Sequence, residues 1–152
     1  MKNKQVPMLL FLLLSFLIFG CMQVNTAPAP APSLKAVMPD NASISLELAT
    51  TRDQVLQGLS GRDSLCESCG MLFIFPEPAP RGFWMSGMKF PLDMIFMSAN
   101  RTVLNLAENV QPCAGECLVL RSRGAAAYVL EVNAGFAKKH GVEEGSAINL
   151  TS

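Results

Sequence analysis

The apolar residues of this chain fall into short runs separated by glycine, proline and polar residues. In the middle of the chain, Met71–Phe75 and Leu92–Met97 are apolar throughout except for Asp93. Short runs bounded by proline and glycine are typical of buried β-strands and are too short for free-standing helices. Between these two predicted strands, a proline-rich turn at 76–80 leads into the aromatic segment Phe83–Met85.

Further strands are predicted from shorter patterns. Residues 44–48 alternate apolar and polar side chains, which indicates a half-buried strand. Later strands are predicted at Thr102–Ala107, Ala126–Val132 and Ala147–Leu150. Ser98–Arg101 has the composition of a hairpin turn.

Helices are predicted at only two places. Thr51 and Gln54 have the spacing of a capping box, so a short helix begins here and ends at Gly58 or Gly61. The second is a helical turn at 136–140. Because strands outnumber helices without regular β–α–β alternation, the sequence predicts an α+β fold that is mostly β. We expect a compact, mainly antiparallel sheet or small barrel-like fold with one or two short helices.

The N-terminal segment has the pattern of an export signal. Two lysines precede the apolar run 8–19, which is shorter than the about 20 residues that span a bilayer. Residues 17–21 resemble the bacterial lipobox, in which the cysteine is acylated. We therefore expect residues 1–21 to be a lipoprotein signal peptide ending at a lipidated, palmitate-bearing Cys21. An ordinary signal peptide with a chance cysteine is the alternative.

The segment after this cysteine predicts a tether. Residues 22–40 contain a repeated Pro/Ala pattern that favours extended polyproline II structure. The folded part is then a single domain at 41–152. An acylated cysteine anchors a protein to a membrane, and Met22 stands where an aspartate would resemble an inner-membrane retention signal. We expect the domain to lie at the bacterial cell envelope, on the outer membrane facing the periplasm.

The charged residues do not indicate a nucleic-acid partner. Twelve basic and twelve acidic residues give a formal net charge of zero, and no basic tract is present. The electrostatic pattern of a nucleic-acid-binding protein is therefore missing. The expected partners are the membrane, through the lipid anchor, and a small ligand or an envelope protein.

Four cysteines remain when the lipidated one is set aside: Cys66, Cys69, Cys113 and Cys117. An even number in an exported protein indicates two disulfides. Loop-closure entropy does not choose the pairing, since two local bonds match one long one. A four-cysteine zinc site and a thioredoxin-like redox pair in the C-x-x-C segment are the alternatives.

The methionines near the aromatic segment raise one more possibility. Met85, Met88, Met94 and Met97 carry soft thioether ligands that suit Cu(I). Methionine also fills irregular gaps in cores, and we adopt that interpretation. No metal or cofactor is therefore predicted.

Several segments, taken in order, resemble the family called Domain of Unknown Function 192. They are Gly58-Leu59 with Arg62 and Leu65, then Gly70–Phe75, Phe83–Met85, Pro91–Phe96, Tyr128–Gly135 and Gly141–Gly145. The resemblance covers nearly all of residues 44–150, and it implies a compact β-rich fold but no reaction. Relatives often carry a cysteine pair that matches Cys113 and Cys117, which implies a local disulfide there and leaves Cys66 with Cys69. Relatives usually have Asn and Thr where this chain has Gly87 and Met88.

Five residues in or near these segments are candidates for a binding site: Arg62, Trp84, Lys89, Asp93 and Glu131. Carboxylates on apolar strands are rarely left unpaired, so both acids are expected to have partners. The first hypothesis is a non-enzymatic module that binds a small ligand or an envelope partner beside Trp84. The alternative is a hydrolase-like envelope enzyme in which Asp93 and Glu131 act as acid and base. Catalytic residues stay unassigned, because the sequence has no nucleophile elbow and no phosphate-binding loop.

Overall fold

The computed structural model describes residues 34–152. The expected signal peptide, Cys21 and most of the expected tether lie outside these residues. The described part of the chain contains nine strands and two short helices. In order, they are β1 (Lys35–Val37), β2 (Ser43–Ala49), α1 (Arg52–Gln57), β3 (Cys69–Ala79), β4 (Gly82–Phe83), β5 (Leu92–Met97), β6 (Val103–Val110), β7 (Leu120–Arg121), β8 (Ala126–Asn133), α2 (Phe136–Lys139) and β9 (Asn149–Thr151). Neither helix is long and apolar enough to cross a membrane.

Seven of the strands form one curled sheet in the order β6-β5-β8-β3-β2-β1-β9. Every neighbouring pair is antiparallel except β2 and β3, which are parallel. The remaining strands, β4 and β7, form a separate two-stranded antiparallel sheet. The predicted fold class is confirmed: the domain is mostly β, with a half-barrel sheet and two short helices.

The two faces of the large sheet bury two different cores. On one face, called here the α1 face, Leu59 packs among residues such as Phe73 and Phe96. On the other, called the α2 face, Phe136 packs among residues such as Ile95. Strand β5 lies between β6 and β8, and all six of its residues are buried because both faces are covered.

The capping box predicted at the start of the first helix is confirmed. Thr51 Oγ1 accepts a hydrogen bond from the Gln54 backbone N–H at 3.3 Å, and Gln54 Oε1 accepts one from the Thr51 backbone N–H at 3.0 Å. The helix ends at Gly58, which has a φ of +48°. A side chain rarely tolerates this φ, so a glycine at this position allows the chain to turn sharply.

The predicted proline-rich turn is wrong. Strand β3 continues through Pro76 and Pro78 to Ala79. Proline has no N–H to donate to a sheet, and the register between β3 and β8 is broken between Ile74 and Ala79. The prolines therefore interrupt the pairing without ending the strand.

The folded domain also begins earlier than predicted. Strand β1 lies between β2 and β9, and Ala36 is fully buried. These residues were assigned to the tether, because the preceding Pro/Ala tract hides a strand of only three residues. The expected tether can therefore extend no further than residue 34.

Both local disulfides are present, joining Cys66 to Cys69 and Cys113 to Cys117. The four-cysteine zinc alternative is wrong for this structure, because disulfide sulfurs are not thiolate ligands.

The copper alternative fails for a different reason. Met85 and Met94 are buried on the α1 face, whereas Met97 is buried on the α2 face. The four thioethers therefore do not converge on one point.

Candidate functional site

A cavity of about 280 Å³ opens beside helix α1 on the α1 face of the sheet. One wall is the end of the helix and the loop after it, from Val55 to Ser60. The opposite wall consists of Phe73 and Phe75 from β3 and of residues 80–84. Ligand sites usually measure roughly 300–1,000 Å³. The cavity lies just below this range, which suits a compact small molecule.

Glu131 lines this cavity and is the most unusual polar residue in it. It lies on β8, opposite Met71 of β3 and Met94 of β5, and only 5% of it is exposed. Its Oε2 is buried and has no hydrogen-bond partner within residues 34–152. Burial raises the pKa of this carboxyl to about 8, because an apolar environment disfavours the charged form. At neutral pH, the side chain is therefore mostly an uncharged acid.

Gly58 keeps the approach to this acid open. A Cβ at this position would lie 3.3 Å from the Phe73 ring and 3.9 Å from Glu131 Oε2. The backbone of the loop after α1 thus comes close to the carboxyl without placing a side chain over it. The sequence indicated a helix end here but not its proximity to an acid.

Aromatic and aliphatic side chains form most of the wall. Phe73 and Phe83 pack edge to face, with ring centroids 4.8 Å apart. At the mouth, Trp84 is 48% exposed and Leu56 is 60% exposed, and both line the cavity. Large apolar side chains left open to solvent around a cavity are typical of a binding site.

Arg81 also lines the cavity, and the sequence analysis missed it. Its guanidinium carbon lies 3.9 Å from the centre of the Phe75 ring, and its Nη2 donates to the Glu77 backbone carbonyl. The five ion pairs of residues 34–152 do not include Arg81. Its place immediately before the Gly82–Trp84 segment was the only sign of it in the sequence.

Both predicted cations of the site lie outside the cavity. Arg62 forms a two-bond ion pair with Glu47 at 2.6 and 2.8 Å. This pairing lowers the pKa of Glu47 and raises that of Arg62. Lys89 pairs with Asp63 at 2.7 Å, and both side chains are largely exposed. Exposed ion pairs of this kind contribute little to stability. Because Arg62 and Lys89 both pair with surface acids, neither cation pairs with Asp93 or Glu131.

Asp93 is fully buried and fully paired. Its Oδ1 accepts backbone N–H groups from Asn109 at 2.8 Å and Gly135 at 3.1 Å. Its Oδ2 accepts the Ala137 N–H at 2.9 Å. The carboxylate therefore fastens the end of β6 and the turn into α2 to strand β5, which is a structural role.

The two acids of the enzyme alternative do not form a pair. Glu131 is directly opposite Met94, and Asp93 is opposite Val132. Successive side chains on a strand point to opposite faces, so Asp93 lies on the α2 face and Glu131 on the α1 face. One substrate cannot contact both carboxyls. Of the predicted set, the structure brings only Trp84 and Glu131 together.

The fold and the cavity define a small β-rich domain with a cavity lined by both apolar and polar groups, which holds a buried acid whose Oε2 has no partner within residues 34–152. The chain belongs to the Domain of Unknown Function 192 family (DUF192, Uncharacterized ACR), whose model matches residues 35–150.

The solved structures that are similar to it include the following two. One is a candidate transcription regulator from Sinorhizobium meliloti 1021, with 34% identity and a TM-score of 0.69, covering 77% of this chain and 91% of that one. The other is a protein of unknown function from Novosphingobium aromaticivorans DSM 12444, with 30% identity and a TM-score of 0.70, covering 77% and 83%. A search of curated proteins found no significant match.

Proposed function

We propose that this chain is a lipid-anchored binding protein of the bacterial cell envelope whose cavity holds a small molecule. The observation that carries the proposal is Glu131, an almost fully buried acid in a ligand-sized cavity, whose Oε2 has no partner among residues 34–152. An unpaired buried polar group destabilises a fold. Such a group is explained when its partner is a ligand.

The contrast with Asp93 supports this proposal. The two acids lie on the neighbouring strands β5 and β8, but Asp93 has three backbone donors. Glu131 has an open cavity beside it and exposed apolar residues, Leu56 and Trp84, at the mouth. Within residues 34–152, the fold thus supplies hydrogen-bond donors to Asp93 but no partner to Glu131 Oε2, which is available to bind a ligand.

A binding function fits the site better than a hydrolytic one. Acid–base catalysis on a substrate needs an acid and a base within reach of the same atoms. Within the described part of the chain, Arg81 and Glu131 are the only charged or titratable residues that line the cavity, and an arginine does not give up its proton in a protein. We do not propose a role in transcription for this chain, although one similar structure is named a transcription regulator. The zero net charge of the chain provides no electrostatic basis for binding DNA.

The location is part of the proposal. Acylation at Cys21 would hold the domain to the membrane through residues 22–34, on the outer membrane facing the periplasm. The two disulfides agree with an oxidising compartment.

Replacing Cys21 with alanine is expected to leave the protein unlipidated and to release it from the membrane fraction. Fractionation with a carbonate wash, followed by intact mass measurement, tests this directly. A Cys21→Ala variant that still sediments with membranes after the wash would contradict the anchor.

Native mass spectrometry of the full chain, purified from its own envelope in detergent, tests the binding function. We expect a retained small molecule, which dissociates when the protein is denatured. Glu131→Leu should lose it, because the variant offers the ligand no hydrogen bond. Glu108→Gln is the control, since Glu108 is exposed on β6 and does not line the cavity.

The proposal fails if the wild-type chain carries no molecule and its melting temperature does not respond to any compound in a library of small metabolites. It also fails if a molecule is retained equally by the wild type and by folded Glu131→Leu. Circular dichroism establishes whether each variant is folded.

A further inference from the structure

We infer that the ligand of this cavity is a small organic anion, with a compact apolar body between the aromatic walls and a carboxylate on the guanidinium of Arg81. The inference rests on the proposed function and names the chemical class of the ligand.

Arg81 is a fixed cation with capacity left for a ligand. Its backbone N–H donates to Ser122 Oγ at 2.9 Å, and its guanidinium lies against Phe75. Nε and Nη2 donate to backbone carbonyls, and Nη1 has no hydrogen-bond partner in the described part of the chain. A guanidinium held in this way suits a carboxylate, which it binds through parallel N–H donors.

A second arginine increases the positive charge at the same edge. Gly82 lines the cavity, and a Cβ built on it would lie 3.7 Å from Arg121 Nη1. Arg121, like Arg81, takes part in none of the ion pairs of residues 34–152. Within those residues, two arginines without a carboxylate partner therefore flank Gly82.

The cavity provides no compensating negative charge at neutral pH from the residues that the structure describes. Glu131 is its only acidic lining residue, and burial keeps that carboxyl uncharged because its pKa is raised to about 8. A cationic ligand would be repelled by Arg81, and no ionised acid in the lining would offset that repulsion. A neutral ligand would leave the positive charge of Arg81 unpaired. A carboxylate is complementary to this charge distribution.

The rest of the lining determines the body of the ligand. Phe73, Phe83 and Trp84 form an apolar wall, so a short aromatic or branched aliphatic group fits better than a sugar or a phosphate ester. The volume of about 280 Å³ limits the ligand to a small molecule. Glu131 in its acid form can donate one hydrogen bond to an acceptor on the ligand.

A matched series of ligands tests the inference: 3-phenylpropionate, 3-phenylpropanol and 3-phenylpropylamine. They share one body and differ in the charge at one end. Binding to the full chain is followed by the fluorescence of Trp84, the only tryptophan, and by calorimetry. We expect the carboxylate to bind at least about tenfold more tightly than the alcohol, and the amine to bind most weakly.

Arg81→Gln should remove the preference for the carboxylate, and Arg81→Lys should retain part of it because the charge remains. Arg123→Gln is the control, since Arg123 pairs with Glu144 on the surface and does not line the cavity. If Arg81→Gln does not fold, the Arg81→Lys variant and the ligand series on the wild type still decide the question.

The pH dependence provides a second test. Phe73, Met71 and Met94 neighbour Glu131 on β3 and β5, and Gly58 approaches it from the loop after α1. None of these is charged, and Arg81 is the one permanent charge that lines the cavity within residues 34–152. Raising the pH through about 8 ionises Glu131, so the affinity for the carboxylate should fall by up to about tenfold per pH unit. Glu131→Gln should show no such fall.

The outcomes separate the two proposals. If the alcohol binds as tightly as the carboxylate and Arg81→Gln has no effect, the anion inference is overturned while the binding function stands. A retained native ligand that is neutral or cationic would also overturn the anion inference and leave the binding function standing. If no compound binds and the purified chain carries none, both proposals fail.

Discussion

Replacing Asp93 with alanine is expected to lower the free energy of unfolding by about 3–5 kcal/mol. The carboxylate is fully buried, and it accepts three backbone N–H groups from two separate segments of the chain. Alanine would leave all three donors without this partner, and the Ala137 N–H is buried. The loss should appear in urea unfolding followed by circular dichroism.

The asparagine variant sharpens this prediction. In Asp93→Asn, the side-chain carbonyl can still accept the Asn109 and Gly135 N–H groups, but the amide nitrogen would face the Ala137 N–H, which is also a donor. We expect a smaller loss, of about 1–3 kcal/mol. Asp63→Ala is the control, because the Asp63–Lys89 pair is exposed and should contribute no more than about 1 kcal/mol.

A loss from Asp93→Ala as small as that from Asp63→Ala would show that the three hydrogen bonds do not stabilise the fold. A gain in stability from Asp93→Asn would be more informative still. It would mean that the charge opposes folding, and Asp93 would then belong to a functional site.

The second large effect is a dependence of stability on pH that arises from Glu131. Its carboxyl has a pKa of about 8 in the folded chain, against a reference value of 4.5. Below pH 4.5, the acid is protonated in both states, and its contribution to stability is fully present. Between pH 4.5 and 8, the unfolded chain loses this proton and the folded chain keeps it. Stability should therefore fall by up to about 1.4 kcal/mol per pH unit.

Above pH 8, the carboxyl is ionised in both states and the decline should stop. Across the whole window of about 3.5 pH units, the loss amounts to roughly 5 kcal/mol. The difference in unfolding free energy between Glu131→Gln and wild type isolates this effect, because groups common to both proteins cancel. That difference should increase from pH 5 to pH 8 and then level off. Glu108→Gln, which changes an exposed carboxyl outside the cavity, is the control.

A constant difference between Glu131→Gln and wild type would show that Glu131 keeps an ordinary pKa. The carboxyl would then be hydrated or paired in solution, and the argument for a ligand would lose its main support. The unfolding measurements should be made on protein freed of any bound molecule, since a ligand of the folded state adds stability of its own.

The elements predicted from the sequence were those that local patterns determine. The capping box at Thr51 lies within four consecutive residues, and the alternation at 44–48 does not depend on the rest of the chain. The buried strand Leu92–Met97 has the bounds that its apolar run predicted. The two disulfides close loops of a few residues, and the family resemblance indicated their pairing.

Features that depend on distant parts of the chain could not be predicted. Nothing near Ser43–Ala49 indicates that its partner β3 runs parallel to it. The strand at Lys35–Val37 is short, and it pairs with Asn149–Thr151, which is distant in the sequence.

The candidate site was only partly predictable for the same reason. Alternation correctly placed Glu131 on one face with Val129, and Asp93 on one face with Ile95. It could not show that these two faces are opposite, because that follows from the register between β5 and β8. Arg81 was missed because its role depends on the cavity beside it. No sequence motif indicates where a cavity lies.

The pairing of β1 with β9 also determines when the domain can finish folding. These strands lie far apart in the sequence, so the sheet is complete only after residues 149–151 have left the ribosome. Contacts between distant residues form late because a large loop must close first. Removing residues 149–152 should therefore expose the edge of β1 and leave a sheet that stops at a three-residue strand. Strand β9 is a poor place for a deletion, and a reporter fused directly after it would lie next to Lys35.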